Sequence, residues 1–158
     1  MKVVLLLALG LLSFAAKANE TKDFAAWSLL CGDKGNCSLS QLVATDAEAK
    51  NILLGVNVNF SISSDFPVLI LRMPPSIYQK SGVGIKIDDK DAIQLPISQC
   101  NHQACQAVIK MDEILLQQMK NGQMAKIAFA LQEKKQLTLP VSLQSFSEAY
   151  AALVSRNP

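Results

Sequence analysis

The sequence predicts a mainly β protein: an antiparallel β-sandwich with one short internal helix and a C-terminal helix packed on it. Three observations predict this class. About nine short segments are apolar or alternate between apolar and polar residues, and turn residues separate them at close spacing. Two segments have helical periodicity, and strands and helices do not alternate as in a doubly wound sheet. The predicted strands cover residues 24–30, 37–44, 52–61, 66–71, 84–88, 92–97, 104–110, 125–131 and 137–141.

Residues 1–18 have the pattern of a secretory signal peptide. A basic start precedes an apolar run over 3–14 that is too short to span a bilayer, and Ala16-Lys17-Ala18 is a small-x-small cleavage site. The alternative interpretation is a buried N-terminal helix. Cleavage after Ala18 would leave residues 19–158 as a single β-sandwich domain, and it predicts an exported protein.

Loss of this segment changes the net charge. It removes Lys2 and Lys17 and reduces the 15 basic residues to 13, equal to the 13 acidic residues. A neutral surface argues against a nucleic-acid partner. No later apolar stretch is long enough to be a membrane span, and no cationic amphipathic stretch predicts a helix on a membrane surface.

Four cysteines in an exported chain predict two disulfides. Three pairings are possible. The local pairs Cys31–Cys37 and Cys100–Cys105 are favoured because each is close in sequence and spans turn-like residues, and the long-range pairings remain the alternative. A loop this short contributes roughly 2 kcal/mol on the chain-entropy account.

The first hairpin is predicted from the strand at 24–30, which contains Trp27, and the strand at 37–44. The polar residues 19–23 before it are expected to fray. Residues 52–61 alternate strictly after Gly55, which is typical of a half-buried strand.

An irregular loop over 76–82 follows the apolar strand at 66–71, which suits a central position in a sheet. The loop contains Ile77 and Tyr78, the candidate binding surface if both are exposed. The alternative is that the two side chains plug one end of the sandwich.

The segment 95–110 organises the middle of the chain. Two runs of apolar and polar residues flank a short polar stretch with a cysteine at each end. This pattern predicts two neighbouring strands whose connection is closed by Cys100–Cys105.

The internal helix is predicted over 111–120. Asp112 is close to its start, and Asn121-Gly122 is a stop signal. Its apolar stripe consists of Ile114, Leu115 and Met119.

The C-terminal helix should begin with a capping box, because Ser145 is followed three residues later by Glu148. Pro140 places the strand at 137–141 at a sheet edge. One helical face is apolar and should pack on the sheet, where its rings and Trp27 would have structural roles. The residues of that face are Phe146, Ala149, Tyr150 and Leu153.

Residues with catalytic or metal-binding potential occur, but in patterns that favour structural roles. Neither cysteine pair has the Cys-x-x-Cys spacing of redox enzymes. A metal site of Cys100, His102 and Cys105 would need free thiolates, and His102, the only histidine, has no Gly-x-Ser-x-Gly elbow with it. The acidic turn at 88–91 could bind calcium or serve glycoside hydrolysis, but such carboxylates are usually solvated. We therefore predict no catalytic residue, metal or cofactor.

Several features in a fixed order carry a resemblance to a known family. They are Trp27-x3-Cys31, Cys37-x3-Gln41, the stretch 82–88 ending in Ile-Asp, Cys100-x4-Cys105, Leu115-Leu116 with Gly122, and the stretch 141–146 leading to Ala149. In this order and spacing the chain resembles the invasion associated locus B family of exported bacterial proteins over residues 24–154. Ala104 and Ser145 stand where that family usually has glycine, and the segment after Pro74 is more polar than its pattern.

The resemblance implies a β-protein of the cell envelope, periplasmic or secreted, in a family named for an association with host-cell invasion. It implies no known reaction and no catalytic residues. Our leading hypothesis is a non-enzymatic protein that acts through contacts with an unidentified envelope or host protein. The alternatives are a small periplasmic hydrolase or carbohydrate-active enzyme, and an accessory factor for envelope assembly.

Overall fold

The computed structural model describes residues 20–32, 35–44, 51–60 and 66–157. They form two antiparallel sheets and two α-helices, which confirms the predicted fold class. The predicted signal peptide lies outside the described residues. None of the helices in the described part is long and apolar enough to cross a membrane.

Most strands that are consecutive in the sequence pair with each other as antiparallel hairpins. The strands are β1 (Glu20–Phe24), β2 (Trp27–Cys31), β3 (Cys37–Ala44), β4 (Ile52–Phe60), β5 (Pro67–Met73), β6 (Val83–Ile87), β7 (Ile93–Leu95), β8 (Gln99–Cys100), β9 (Cys105–Lys110), β10 (Met124–Gln132) and β11 (Lys135–Ser142). The helices are α1 (Glu113–Asn121) and α2 (Phe146–Arg156).

A seven-stranded sheet has the order β1-β2-β3-β4-β5-β9-β8, and a four-stranded sheet has the order β11-β10-β6-β7. The chain builds β1 to β5 by consecutive hairpins, crosses to the smaller sheet for β6 and β7, and returns for β8 and β9. After α1 it completes the smaller sheet with β10 and β11. The predicted edge position of the strand containing Pro140 is therefore confirmed, since β10 is the single pairing partner of β11 among the described strands.

The predicted strand at 24–30 is two strands. Ala25 has a φ of 50°, and the chain reverses there so that Glu20–Phe24 pairs with Trp27–Cys31. The expectation that 19–23 would fray was therefore wrong for Glu20 onwards. Arg156 donates to both carboxylate oxygens of Glu20 at 2.7 Å, so the C-terminal helix secures this edge strand.

The segment around the second cysteine pair belongs to both sheets. The predicted strand at 92–97 ends at Leu95 and pairs with β6 in the smaller sheet. Pro96 has no backbone N–H for a ladder, and the chain crosses to the larger sheet, where β8 pairs with β9. The two neighbouring strands joined by Cys100–Cys105 are thus confirmed, but the first is only Gln99–Cys100.

Helix α1 is capped as its sequence indicates. Asp112 is extended, and its side chain accepts a hydrogen bond from Leu115 N at 2.8 Å. Leu115 and Met119 are buried, but Ile114 is 70% exposed, so its assignment to the apolar stripe was wrong. Since a turn takes 3.6 residues, Ile114 lies beside the buried face.

The predicted capping box at Ser145 is absent. Ser145 has a φ of 59°, and its side chain makes no capping hydrogen bond. A capping serine needs an extended backbone, and here the left-handed residue instead completes a turn in which Phe146 N donates to Leu143 O at 3.0 Å.

The buried face of α2 packs on β1, β2 and β3 and touches α1. Trp27 and Phe146 meet edge to face with ring centroids 5.0 Å apart, and Tyr150 stacks on Phe146 at 6.1 Å. Leu153 is fully buried. The apolar face predicted for α2 therefore packs against β2 and completes the core on that side.

Candidate functional site

Both disulfides join residues that are directly opposite each other in antiparallel strands. Cys31 bonds to Cys37 between β2 and β3, and Cys100 bonds to Cys105 between β8 and β9. These are the local pairs that the sequence favours. All four cysteines are bonded, so none is available as a thiolate for redox chemistry or metal binding.

His102 lies at the tip of the short turn between β8 and β9. Asn101 fixes this turn, because its side-chain oxygen accepts from Gln103 N at 2.8 Å and from Ala104 N at 3.0 Å. A cavity of about 370 Å³ beside the turn is lined by Arg72 and neutral residues, and no carboxylate of the described residues lines it. His102 makes no hydrogen bond or ion pair with a carboxylate of the described residues.

In the acidic turn at 88–91, the carboxylate of Asp88 has a structural role. The Asp88 carboxylate accepts hydrogen bonds from Gln123 N at 3.0 Å and from Met124 N at 3.0 Å. This contact ties the β6–β7 turn to the start of β10. Within the described ranges, no group of three histidine, cysteine, aspartate or glutamate side chains could hold a metal ion.

The structure does not support the candidate binding surface at Ile77 and Tyr78, because the Ile77 side chain is buried. Ile77 is only 6% exposed, and Tyr78 is half-buried. Tyr78 N donates to Ala130 O at 2.8 Å, which ties the loop to β10 and turns Ile77 into the core. The alternative, that these side chains plug one end of the sandwich, fits the structure.

A polar cluster that local patterns did not reveal joins the two sheets. Trp27 Nε1 and Gln41 Nε2 both donate to Ser142 O at 2.9 Å, and Ser142 N donates to Gln41 Oε1 at 3.0 Å. Gln41 is 6% exposed. The cluster connects β2 and β3 with the end of β11, so the motif residues Trp27 and Gln41 have a structural role.

The pKa shifts in the structure also belong to contacts that hold the fold. The hydrogen bonds from Arg156 lower the pKa of the Glu20 carboxyl and raise that of the guanidinium. Burial raises the pKa of the Tyr150 hydroxyl, and the Glu113 carboxylate adds to this rise. The first contact joins α2 to β1, and the second lies between α2 and α1, so both shifts come from contacts between elements of the fold.

The outer edge of β9 is the best candidate for a binding surface. β8 pairs with β9 only at Cys105 and Gln106, although β9 continues to Lys110. Beyond that pairing, Ser98 Oγ accepts from Val108 N at 3.2 Å. Among the described residues, no further strand pairs with 107–110, so the edge beyond the occupied Val108 N–H is open to another chain.

The outer face beside this edge is apolar. Val108 is 42% exposed and lies opposite Ile70, while Val68 lies opposite Lys110. The Lys110 ammonium sits 4.1 Å from the centroid of the Phe66 ring, which is also partly exposed. We call this set, Phe66, Val68, Ile70, Val108 and Lys110, the β9 edge surface.

A signal for this surface is present in the sequence. The run at 66–71 is apolar throughout, but a strand in a two-layer sandwich buries only alternate residues. Half of such a run must therefore face outwards, as Val68 and Ile70 do.

Comparison with known proteins agrees with this architecture. Residues 27–154 match the sequence model of a family described as Invasion associated locus B (IalB) protein. A crystal structure of invasion associated protein B from Bartonella henselae superposes with a TM-score of 0.75 at 21% sequence identity, covering 87% of this chain and 98% of that one. No curated protein sequence matches the chain significantly. At this identity the structural likeness establishes a shared fold.

Proposed function

We propose that this chain, which belongs to the invasion associated locus B (IalB) family, is an exported binding protein and not an enzyme. It acts through protein–protein contacts in the periplasm or outside the cell, after cleavage behind Ala18 leaves residues 19–158 as one domain. Two disulfides support an oxidising compartment, because such bonds are rare in the cytosol. His102 is exposed at a turn, and no carboxylate of the described residues lines the cavity beside that turn, which supports a binding role over hydrolysis.

The observation that carries the proposal is the β9 edge surface. An open strand edge offers main-chain hydrogen bonds, and the apolar row beside it offers burial for alternate side chains. These two features together suit one kind of partner. That partner is an extended, apolar segment of another protein, which adds to the larger sheet beside β9.

Site-specific cross-linking tests this proposal. A photo-reactive phenylalanine analogue replaces Val108 in the exported protein, and in a matched control it replaces Ile114, which is 70% exposed on α1. We expect a discrete adduct with an envelope or host protein from position 108 and none from position 114. The same adduct from both positions, or no adduct at 108, would reject this surface.

A second variant distinguishes a specific contact from nonspecific hydrophobic association. Val108→Glu places a charge in the apolar row but leaves the fold intact, because this side chain faces solvent. A cross-linker at the neighbouring Lys110 should then lose its adduct. If the adduct persists in Val108→Glu, the partner does not bind across this row.

A further inference from the structure

A depression lies on the outer face of the smaller sheet, and the larger sheet takes no part in it. Gly84, Ala128 and Thr138 lie opposite one another across β6, β10 and β11, and Ala130 lies opposite Gln136. Because the side chains at the centre are so small, the face is concave and encloses about 490 Å³. This volume is in the range of ligand-binding pockets.

The charges around the depression are unbalanced. Lys86 and Lys126 lie directly opposite each other on β6 and β10, and Lys134 lies at the other end beside Glu133. Three ammonium groups therefore line the depression with one carboxylate. We call the floor of Gly84, Ala128 and Ala130 with Lys86, Lys126 and Lys134 the lysine depression.

The facing lysines oppose folding. Side chains at directly opposite positions have Cβ atoms about 5 Å apart, and like charges there destabilise a sheet. Neither Lys86 nor Lys126 has a carboxylate partner within the part of the chain that the structure describes. The one ion pair in that part joins Arg156 to Glu20. The nearby Asp88 carboxylate is already occupied by two backbone N–H groups. An anion bound between the two lysines would relieve their repulsion.

The length of the depression limits what could occupy it. The depression extends from Lys126 on β10 to Lys134 in the turn after this strand, and the strand residues between them span about 20 Å. A small anion would reach only one end, whereas an extended peptide of about six residues covers the whole length. Gln136 and Thr138 offer donors and acceptors suited to a peptide backbone, and Gln94 offers its Oε1, since its Nε2 donates to Ser81 O at 2.7 Å.

A saccharide fits less well. The ring of Phe129 lies beneath the floor and is 2% exposed, so it offers no face for a sugar to stack on. No other aromatic side chain of the described residues lines the rim.

We propose that the lysine depression binds an extended acidic peptide segment, with carboxylates on the Lys86–Lys126 pair and beside Lys134. This site lies on the other sheet from the β9 edge surface, and it stands or falls independently of that surface. The neutral net charge of the chain without residues 1–18 makes the local excess of positive charge the source of attraction.

Fluorescence anisotropy with a labelled hexaglutamate peptide tests the proposal on the purified exported protein. We expect saturable binding that weakens with added salt, and no binding of a labelled Gly-Ser hexapeptide. The variant Lys86→Gln/Lys126→Gln should raise the Kd about tenfold or more. A matched control, Lys22→Gln/Arg72→Gln, removes the same charge from exposed positions of the larger sheet and should change the Kd less than about twofold.

A third variant tests the cavity without changing charge. Ala128→Leu fills the floor on a half-exposed position, and circular dichroism checks that the protein remains folded. We expect it to weaken hexaglutamate binding as well. Equal losses in Lys86→Gln/Lys126→Gln and in its control, unchanged binding in Ala128→Leu, or tighter binding of heparin or inorganic phosphate than of hexaglutamate would overturn the proposal.

Discussion

At the scale of single residues, the fold depends on a few positions whose partners are distant in sequence. Gln41 and Ser142 are 101 positions apart, yet both amide atoms of Gln41 bond to the Ser142 backbone. Gln41 belongs to a motif that the sequence displays, but no local pattern names its partner. A buried side-chain amide that hydrogen-bonds to the backbone at a strand end can be recognised only once the packing of the two sheets is known.

Gln41→Leu should lower the free energy of unfolding by about 1–3 kcal/mol, because it leaves Ser142 N–H buried without an acceptor. Urea denaturation measures the change. Gln132→Leu, at the exposed end of β10, is the matched control and should stay within about 0.5 kcal/mol. Equal effects for the two variants would show that the cluster does not hold the sheets together.

Gly82 is a second such position. It has a φ of 65°, and a Cβ added there would lie 2.4 Å from Leu95 O. Gly82→Ala should therefore cost about 3 kcal/mol or more, since backbone strain adds to a main-chain collision. Gly35 has a φ of 76° with nothing within 4 Å, so Gly35→Ala should cost only the strain, about 1–2 kcal/mol. Thermal unfolding of the two variants separates collision from strain, and a smaller loss for Gly82→Ala would contradict this account.

At the scale of elements, alternation predicts strands well, and backbone reversals escape prediction. The structure gives β3 the predicted bounds, Cys37–Ala44, because inward residues alternate with outward ones along its whole length. Ala25 and Ser145 have positive φ values although neither is glycine, asparagine or aspartate. Their side chains give no signal of a left-handed backbone, so the β1–β2 turn was missed and the capping box of α2 was predicted wrongly, although Ser145 does precede the first helical residue.

Docking of α2 is the element-scale feature with the largest expected effect. Phe146 is fully buried against Trp27, so Phe146→Ala should lower stability by about 3–5 kcal/mol. His102→Ala, at an exposed turn, should change it by less than about 0.5 kcal/mol. The midpoint of urea unfolding distinguishes the two, and small, similar effects would mean that α2 is not docked on the larger sheet.

At the scale of the whole molecule, the two outer faces of the sandwich differ in character. The larger sheet presents an open edge beside an apolar row, and the smaller sheet presents a concave face with unbalanced positive charge. The sequence predicted the sandwich because period-two patterns report burial. The apolar run at 66–71 signals an outward apolar row, but the sequence could not place that row beside an open edge, since this depends on which strands become neighbours. Likewise, Lys86 and Lys126 are opposite only through the β6–β10 pairing.

The proposed binding functions require that the protein is exported and that its four cysteines are oxidised to two disulfides. The intact mass of the protein recovered from the cell envelope or the medium tests both at once. We predict a chain that begins at Asn19 and is four hydrogen atoms lighter than its reduced form, with no cysteine alkylated before reduction. A chain that retains residues 1–18, or one whose cysteines take up the alkylating reagent without reduction, would contradict the account.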